Sequence, residues 1–152
     1  SAERAGRDPM AIVPAFIMTC LIGDDDELED ILKAPLIKSL LLQISAVELS
    51  KLGHAHPMGD NWRGFQDIDP ATLTRERVLD FLDKVDPQAI LAMVPHGTPK
   101  QVASIIKGYC DAGLRVPKIL DYGGMAGVKY GALSAQKVRE AEDELLKLTG
   151  GI

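Results

Sequence analysis

The stretch HGTPKQVASIIKGYCDAGLRVPKILDYGG, residues 96–124, decides the fold. Thr98 is a good helix N-cap, and Pro99 sits at the first helical position, where the missing N–H has no partner to lose. Val102, Ile105, Ile106 and Tyr109 then recur at i, i+3, i+4 and i+7, the spacing of one buried helix face. Gly113 closes the helix. Residues Val116 to Gly124 read as a buried strand running into a glycine loop. A capped helix handing over to a buried strand is half of a parallel βα repeat.

Working outward, Ala11 to Gly23 (AIVPAFIMTCLIG) is apolar throughout and suits a strand covered on both faces, although Pro14 weakens its start. Pro9 breaks any helix before it. Asp24 caps the next helix with Glu27 as its capping-box partner, and the acidic first turn suits the helix dipole. Pro35 ends or restarts that helix, and Leu36 to Leu52 reads as helical and well buried, with Gly53 as its C-cap. Gly53 to Pro70 has no clean period and reads as a long ordered loop, a kind of segment that is usually functional or disordered. Thr72 or Thr74 caps a helix through Lys84, with Val78, Phe81, Leu82 and Val85 on its apolar side. Gln88 to Val94 is strand or helix. Ser134 is expected to cap a last amphipathic helix ending near Gly150. The alternation implies a helix-rich α/β fold.

The chain has 152 residues, enough for one domain that buries roughly 70% of its unfolded surface. A net charge of −5 argues against a nucleic-acid surface. Cys20 and Cys110 lie far apart in apolar stretches and read as two reduced thiols, with no Cys-Cys or Cys-His pair at zinc spacing. No signal peptide is visible, and the run from Leu36 to Val47 is too short to span a bilayer, so a cytoplasmic protein is expected. The opening SAERAGRDP reads like the end of a helix, which suggests a piece of something longer.

Three phrases together resemble one family. HGTPKQVASIIKGYCDAGLRVPKILDYGG is similar to the closing segment of luciferase-like monooxygenases, where a Gly-Thr-Pro turn starts a helix and an Ala-Gly-Leu ends it before a short strand. AERAGRDPMAI resembles the phrase that precedes a barrel strand there. HPMGDNWRGFQDIDP looks like the subgroup that uses the deazaflavin coenzyme F420, and ketoreductases of mycobacterial lipid synthesis show a similar pattern. The resemblance covers nearly the whole chain. It implies a (β/α)8 TIM barrel, of which residues 1–152 would be a single unit supplying roughly the last three βα units and the helical insertion. It also implies an oxidoreductase using F420 or FMN, for hydride transfer or monooxygenation. Such a barrel takes about 250 residues, so most ring contacts and much of the phosphate site would lie upstream of Ser1. This chain alone would then be inactive and hold no coenzyme, and no catalytic residue is carried over.

In a barrel, sites lie at the C-terminal ends of the strands. His96, Gly97 and Thr98 form one candidate for coenzyme binding: free N–H groups at a helix start hold anions, and His96 could donate to a carbonyl or phosphate. The same residues serve equally as a plain cap beside a loop histidine. Asp121 and Tyr122, before Gly123-Gly124, form a second candidate, for substrate, or else a simple turn. Trp62, Arg63 and Phe65 could line a substrate pocket or pin their loop to the core. His54 and His56 are two apart but lack a third ligand, so no metal is expected. Residues 123–127 do not make a dinucleotide fingerprint. The expected partners are a small-molecule substrate in the parent enzyme and a second copy of the chain; an open barrel piece leaves a strand edge and apolar faces uncovered. The competing reading is a non-catalytic helical interaction domain that binds through the Gly53 to Pro70 loop.

Overall fold

The computed structural model describes residues 3–8, 11 and 13–151. The helix break expected at Pro9 and part of the expected strand start, Ile12, lie outside them. After a short 3-10 turn, Glu3–Ala5, the chain enters β1 (Ala15–Ile22), then α1 (Asp25–Leu32) and α2 (Pro35–Lys38). A 3-10 segment, Ser39–Gln43, leads to α3 (Ala46–Lys51). The long loop holds one 3-10 turn, Gly64–Asp67, and is followed by α4 (Arg75–Lys84) and α5 (Pro87–Met93). Then come β2 (His96–Gly97), α6 (Pro99–Asp111), β3 (Val116–Asp121), a 3-10 turn at Tyr122–Ala126, and α7 (Val128–Thr149). The fold is α/β and helix-rich.

The three strands are parallel in the order β2-β1-β3. Pairing of β1 with β3 runs from Ala15 opposite Val116 to Cys20 opposite Asp121. Pairing with β2 covers only Leu21 opposite His96 and Ile22 opposite Gly97. Successive strands of a barrel would lie in chain order, whereas here the first strand is central.

Because strand side chains alternate between faces, β1 feeds two cores. Met18, Cys20 and Ile22 pack with Ile119 under Val102, Ala103 and Ile106 of α6 and Ala141 and Leu145 of α7. Leu21 faces the other way, into a helical core built from Leu28, Ile31, Ile37, Leu41, Leu49, Trp62, Phe81 and Ile90. That second core covers only the C-terminal end of its sheet face. Elsewhere on that face Ile17 is 56% exposed, Val116 49% and Leu120 40%.

Local signals explain most boundaries. Asp24 and Glu27 form the expected capping box; Thr98 is the expected N-cap, and Gln101 completes a box that was not expected. Thr74, not Thr72, caps α4. Pro35 restarts a helix at its first position. Gln88 to Val94 resolves as helix α5, capped by Asp86.

Three expectations need correction. Leu36 to Leu52 is not one helix: Ile44 turns extended, and Ser45 opens α3 with its own capping box to Glu48. Ser134 is no cap; α7 already starts at Val128 after Gly127, whose φ of 153° suits glycine. On α6 the buried face is Val102, Ala103 and Ile106, which pack against β1, β3 and α7, while Ile105 and Tyr109 are exposed.

Truncating Ile106, fully buried between sheet and helix, should cost about 2–5 kcal/mol, and Thr98→Ala about 1 kcal/mol. Equilibrium urea unfolding followed by circular dichroism measures both; an Ile106→Ala loss no larger than the cap's would mean that α6 is not seated on the sheet.

Candidate functional site

Parallel strands bring their C-terminal ends to one side, so Gly23, Thr98 and Asp121 share that end of the sheet. There β3 turns away, and its last side chain takes over the pairing. The buried Asp121 carboxylate accepts from Ile22 N–H at 3.1 Å and Gly123 N–H at 2.8 Å through the same oxygen. Gly123 has no room for a side chain, since a Cβ would come within 2.9 Å of that oxygen. From α7, Lys137 Nζ donates to Ile22 O at 3.1 Å and pairs with Glu27 at 2.8 Å. Hydrogen bonding to Lys137 holds the Glu27 carboxyl below its usual range. Burial, reinforced by the Asp121 charge, pushes the Cys20 thiol up to about 12. Both cysteines are free thiols.

His96 opens β2, half-buried, with Nδ1 3.0 Å from Val94 O. A carbonyl oxygen only accepts, so Nδ1 carries the hydrogen, and in the neutral ring Nε2 is left as a bare acceptor. His96 lines a cleft of ≈ 520 Å³ between α1 and α5, with Leu28, Leu32 and Leu91 among its walls. Gly97 has a φ of 124°, and a Cβ there would meet Gln101 Oε1 at 2.7 Å. Thr98 N–H donates to Gln101 Oε1 at 2.8 Å and Gln101 N–H to Thr98 Oγ1 at 3.4 Å. With Pro99 lacking an N–H, much of the donor capacity of this helix start is already used.

The Trp62 segment lies elsewhere. Trp62 is buried, and its indole N–H donates to Leu42 O at 2.9 Å. Arg63 forks onto Asp67, with Nε 2.8 Å from Oδ1. Phe65 is 69% exposed. Trp62 and Arg63 line a groove of ≈ 460 Å³ together with Asp69 and Arg77, and Phe65 does not line it. This groove and the His96 cleft share no lining residue, and neither is lined by Asp121 or Tyr122. The candidate residues thus fall into three places: the His96 cleft, the Asp121 knot and the Trp62 groove.

Sequence reasoning missed the role of His56. It is buried, stacked 5.8 Å from Trp62 and 6.3 Å from Phe81, with Nε2 2.9 Å from Leu41 O and Nδ1 accepting from Met58 N–H at 3.1 Å. His54 instead meets Asp86 at 3.3 Å, so the two histidines do not converge. Among the described residues no group of three His, Cys, Asp or Glu side chains is placed to hold a metal ion. Leu28, Leu32, Lys38 and Leu91 of the His96 cleft also escaped notice, because helical periodicity marks such leucines only as core.

The sequence is 34% identical over 115 residues to a phthiodiolone/phenolphthiodiolone dimycocerosates ketoreductase of Mycobacterium kansasii, covering 75% of this chain and 31% of that protein. It is 34% identical over 116 residues to the Mycobacterium tuberculosis protein of the same name, covering 76% and 30%. A further protein of that name from Mycobacterium sp. strain JLS is 30% identical over 103 residues, covering 67% and 27%. The match thus spans about a third of the length of these relatives. No family model and no solved structure matches the chain.

Two measurements follow from the Asp121 and Glu27 contacts. Cys110 is only partly buried, and burial raises its thiol less decisively than that of Cys20. A thiol reagent at pH 8 should therefore label Cys110 well before Cys20, and both alike in urea; equal native rates would contradict the sealed sheet end. The depressed Glu27 carboxyl contributes stability in full above the ordinary carboxylate range, and that contribution is lost as pH falls through its lowered value. Urea midpoints between pH 7 and pH 3 should fall less steeply in Lys137→Met than in the unaltered chain, and parallel curves would dismiss the pair.

Proposed function

We propose that this chain is the C-terminal third of a luciferase-like (β/α)8 oxidoreductase that passes a hydride between F420 or FMN and a carbonyl or alcohol, and that it is inactive alone. The observation that carries the reading is the 34% identity, over three quarters of the chain, to proteins named ketoreductases. Parallel strands with helices between them agree with it. A whole barrel would place β2 between β1 and β3, so the β1–β3 pairing of this chain has to open when the remaining strands are present.

The described residues do not by themselves make a seat for a flavin or deazaflavin. The leucine-walled cleft offers no aromatic ring besides His96, and the Thr98 turn has spent most of its N–H groups on its own cap. In this reading the principal coenzyme contacts belong to the upstream part of the parent protein, and this chain contributes support and placement. In this reading Trp62 and Arg63 belong to the substrate side, beside a small molecule, in a cytoplasmic protein. No helix among the described residues is long and apolar enough to cross a membrane.

The uncovered face of Ile17, Val116 and Leu120, beside the open edge of β3, favours pairing of the isolated chain with a second copy. Light scattering behind a sizing column checks this: a single species at the 16.4 kDa chain mass over a wide concentration range would exclude it.

The functional reading is tested with the longer gene product. It should oxidise reduced F420 or reduced FMN when a hydrophobic ketone is supplied, and the 152-residue chain should not. Fluorescence titration of the chain with each coenzyme should show no binding tighter than about 1 µM. Turnover by the chain alone, or no turnover by the longer product, would overturn the reading.

A further inference from the structure

We infer that the cleft between α1, α5 and β2 seats a small neutral molecule with an apolar body and one hydroxyl group, the hydroxyl donating to His96 Nε2. The inference stands on the cleft itself, apart from the Trp62 groove that the proposed function gives to the substrate. The volume of ≈ 520 Å³ lies within the usual size of a small-molecule site. Leu28, Leu32 and Leu91 give it apolar walls.

Its charges balance. Asp25 and Glu29 stand against Lys33 and Lys38, and both cations are engaged: Lys33 pairs with Glu29 at 3.0 Å, and Lys38 Nζ donates to Leu82 O at 3.1 Å. With two carboxylates set against two cations the lining carries no net charge, so a neutral ligand suits it best. Among the cleft's polar groups His96 offers a neutral acceptor whose state the fold fixes. Val94 O fixes the hydrogen on Nδ1, and Nε2 makes no hydrogen bond among the described residues. Neutral Nε2 can only accept. A hydroxyl satisfies it, and a ketone of the same shape does not. One such hydrogen bond separates the two ligands by about five- to tenfold in affinity.

The test uses the full 152-residue chain with no coenzyme. At pH 9, 1-octanol and 2-octanone are titrated separately and methyl and imidazole nitrogen NMR signals are followed. Octanol should shift the Leu28, Leu32 and Leu91 methyls saturably and bind about five- to tenfold tighter than octanone. The His96 Nε2 resonance should respond to octanol only, a readout that needs no variant. In His96→Phe the preference should vanish while octanone binding persists. Absence of saturable shifts at these leucines, an Nε2 signal blind to octanol, or a preference that survives His96→Phe would each overturn the inference. Because no coenzyme or turnover is involved, its failure leaves the oxidoreductase reading standing, and the reverse is equally true.

Discussion

β1 is the constraint on which the structure depends. It is the strand with neighbours on both edges, β2 and β3, and it sends side chains into both cores. Met18, Cys20 and Ile22 on one side and Leu21 on the other are each no more than 3% exposed. Helices α6 and α7 pack on one face only because these residues alternate with Leu21, which anchors the helical half to the other. A polar residue at Leu21 would remove the strand's own anchor between the sheet layer and the helical layer, leaving the Lys137–Glu27 pair and Tyr130 of α7 to join them.

The end of β1 also shows how side chains extend a sheet beyond its last backbone pair. Once β3 bends into the Tyr122 turn, Ile22 N–H would be left without a strand partner, and Asp121 supplies a carboxylate oxygen in place of a carbonyl. Lys137 does the complementary work at Ile22 O. An Asp-Tyr-Gly-Gly phrase at a strand end therefore has a structural use that is complete without any ligand, and its acidic group is already committed to two N–H donors.

How much was legible in the sequence follows the range of each interaction. Capping is local: the Asp24–Glu27 box and the Thr98 cap are read from a few consecutive residues, and both form. The Ser45–Glu48 box was equally local, yet the run of leucines before it masked the break at Ile44. Strand order was out of reach, because nothing in the β2 sequence says that it pairs with β1 over two residues and leaves β3 to the other edge. The loop was legible as ordered, through Trp62, but not the means: His56 spans two carbonyl-and-amide contacts, and Gly64, with a φ of 70°, lets its backbone pass where a Cβ would lie 2.5 Å from Gln43 O. Candidate site residues were recognisable by type, whereas their separation into two hollows and a buried knot depends on contacts between distant segments.

The placement of β1 has a consequence for the order in which the chain can fold. Its partner β3 lies about a hundred residues further along, as the Ala15–Val116 register shows. At a synthesis rate of about 5–20 residues per second, β1 leaves the ribosome roughly 5–20 s before the strand that completes its longer edge. Helices α1 to α5 can cover Leu21 in that interval, but Met18, Cys20 and Ile22 wait for α6 and α7. During that interval the most apolar strand of the chain is a half-covered surface, open to chaperones and to other nascent copies alike, and its protection is a matter of timing as much as of sequence.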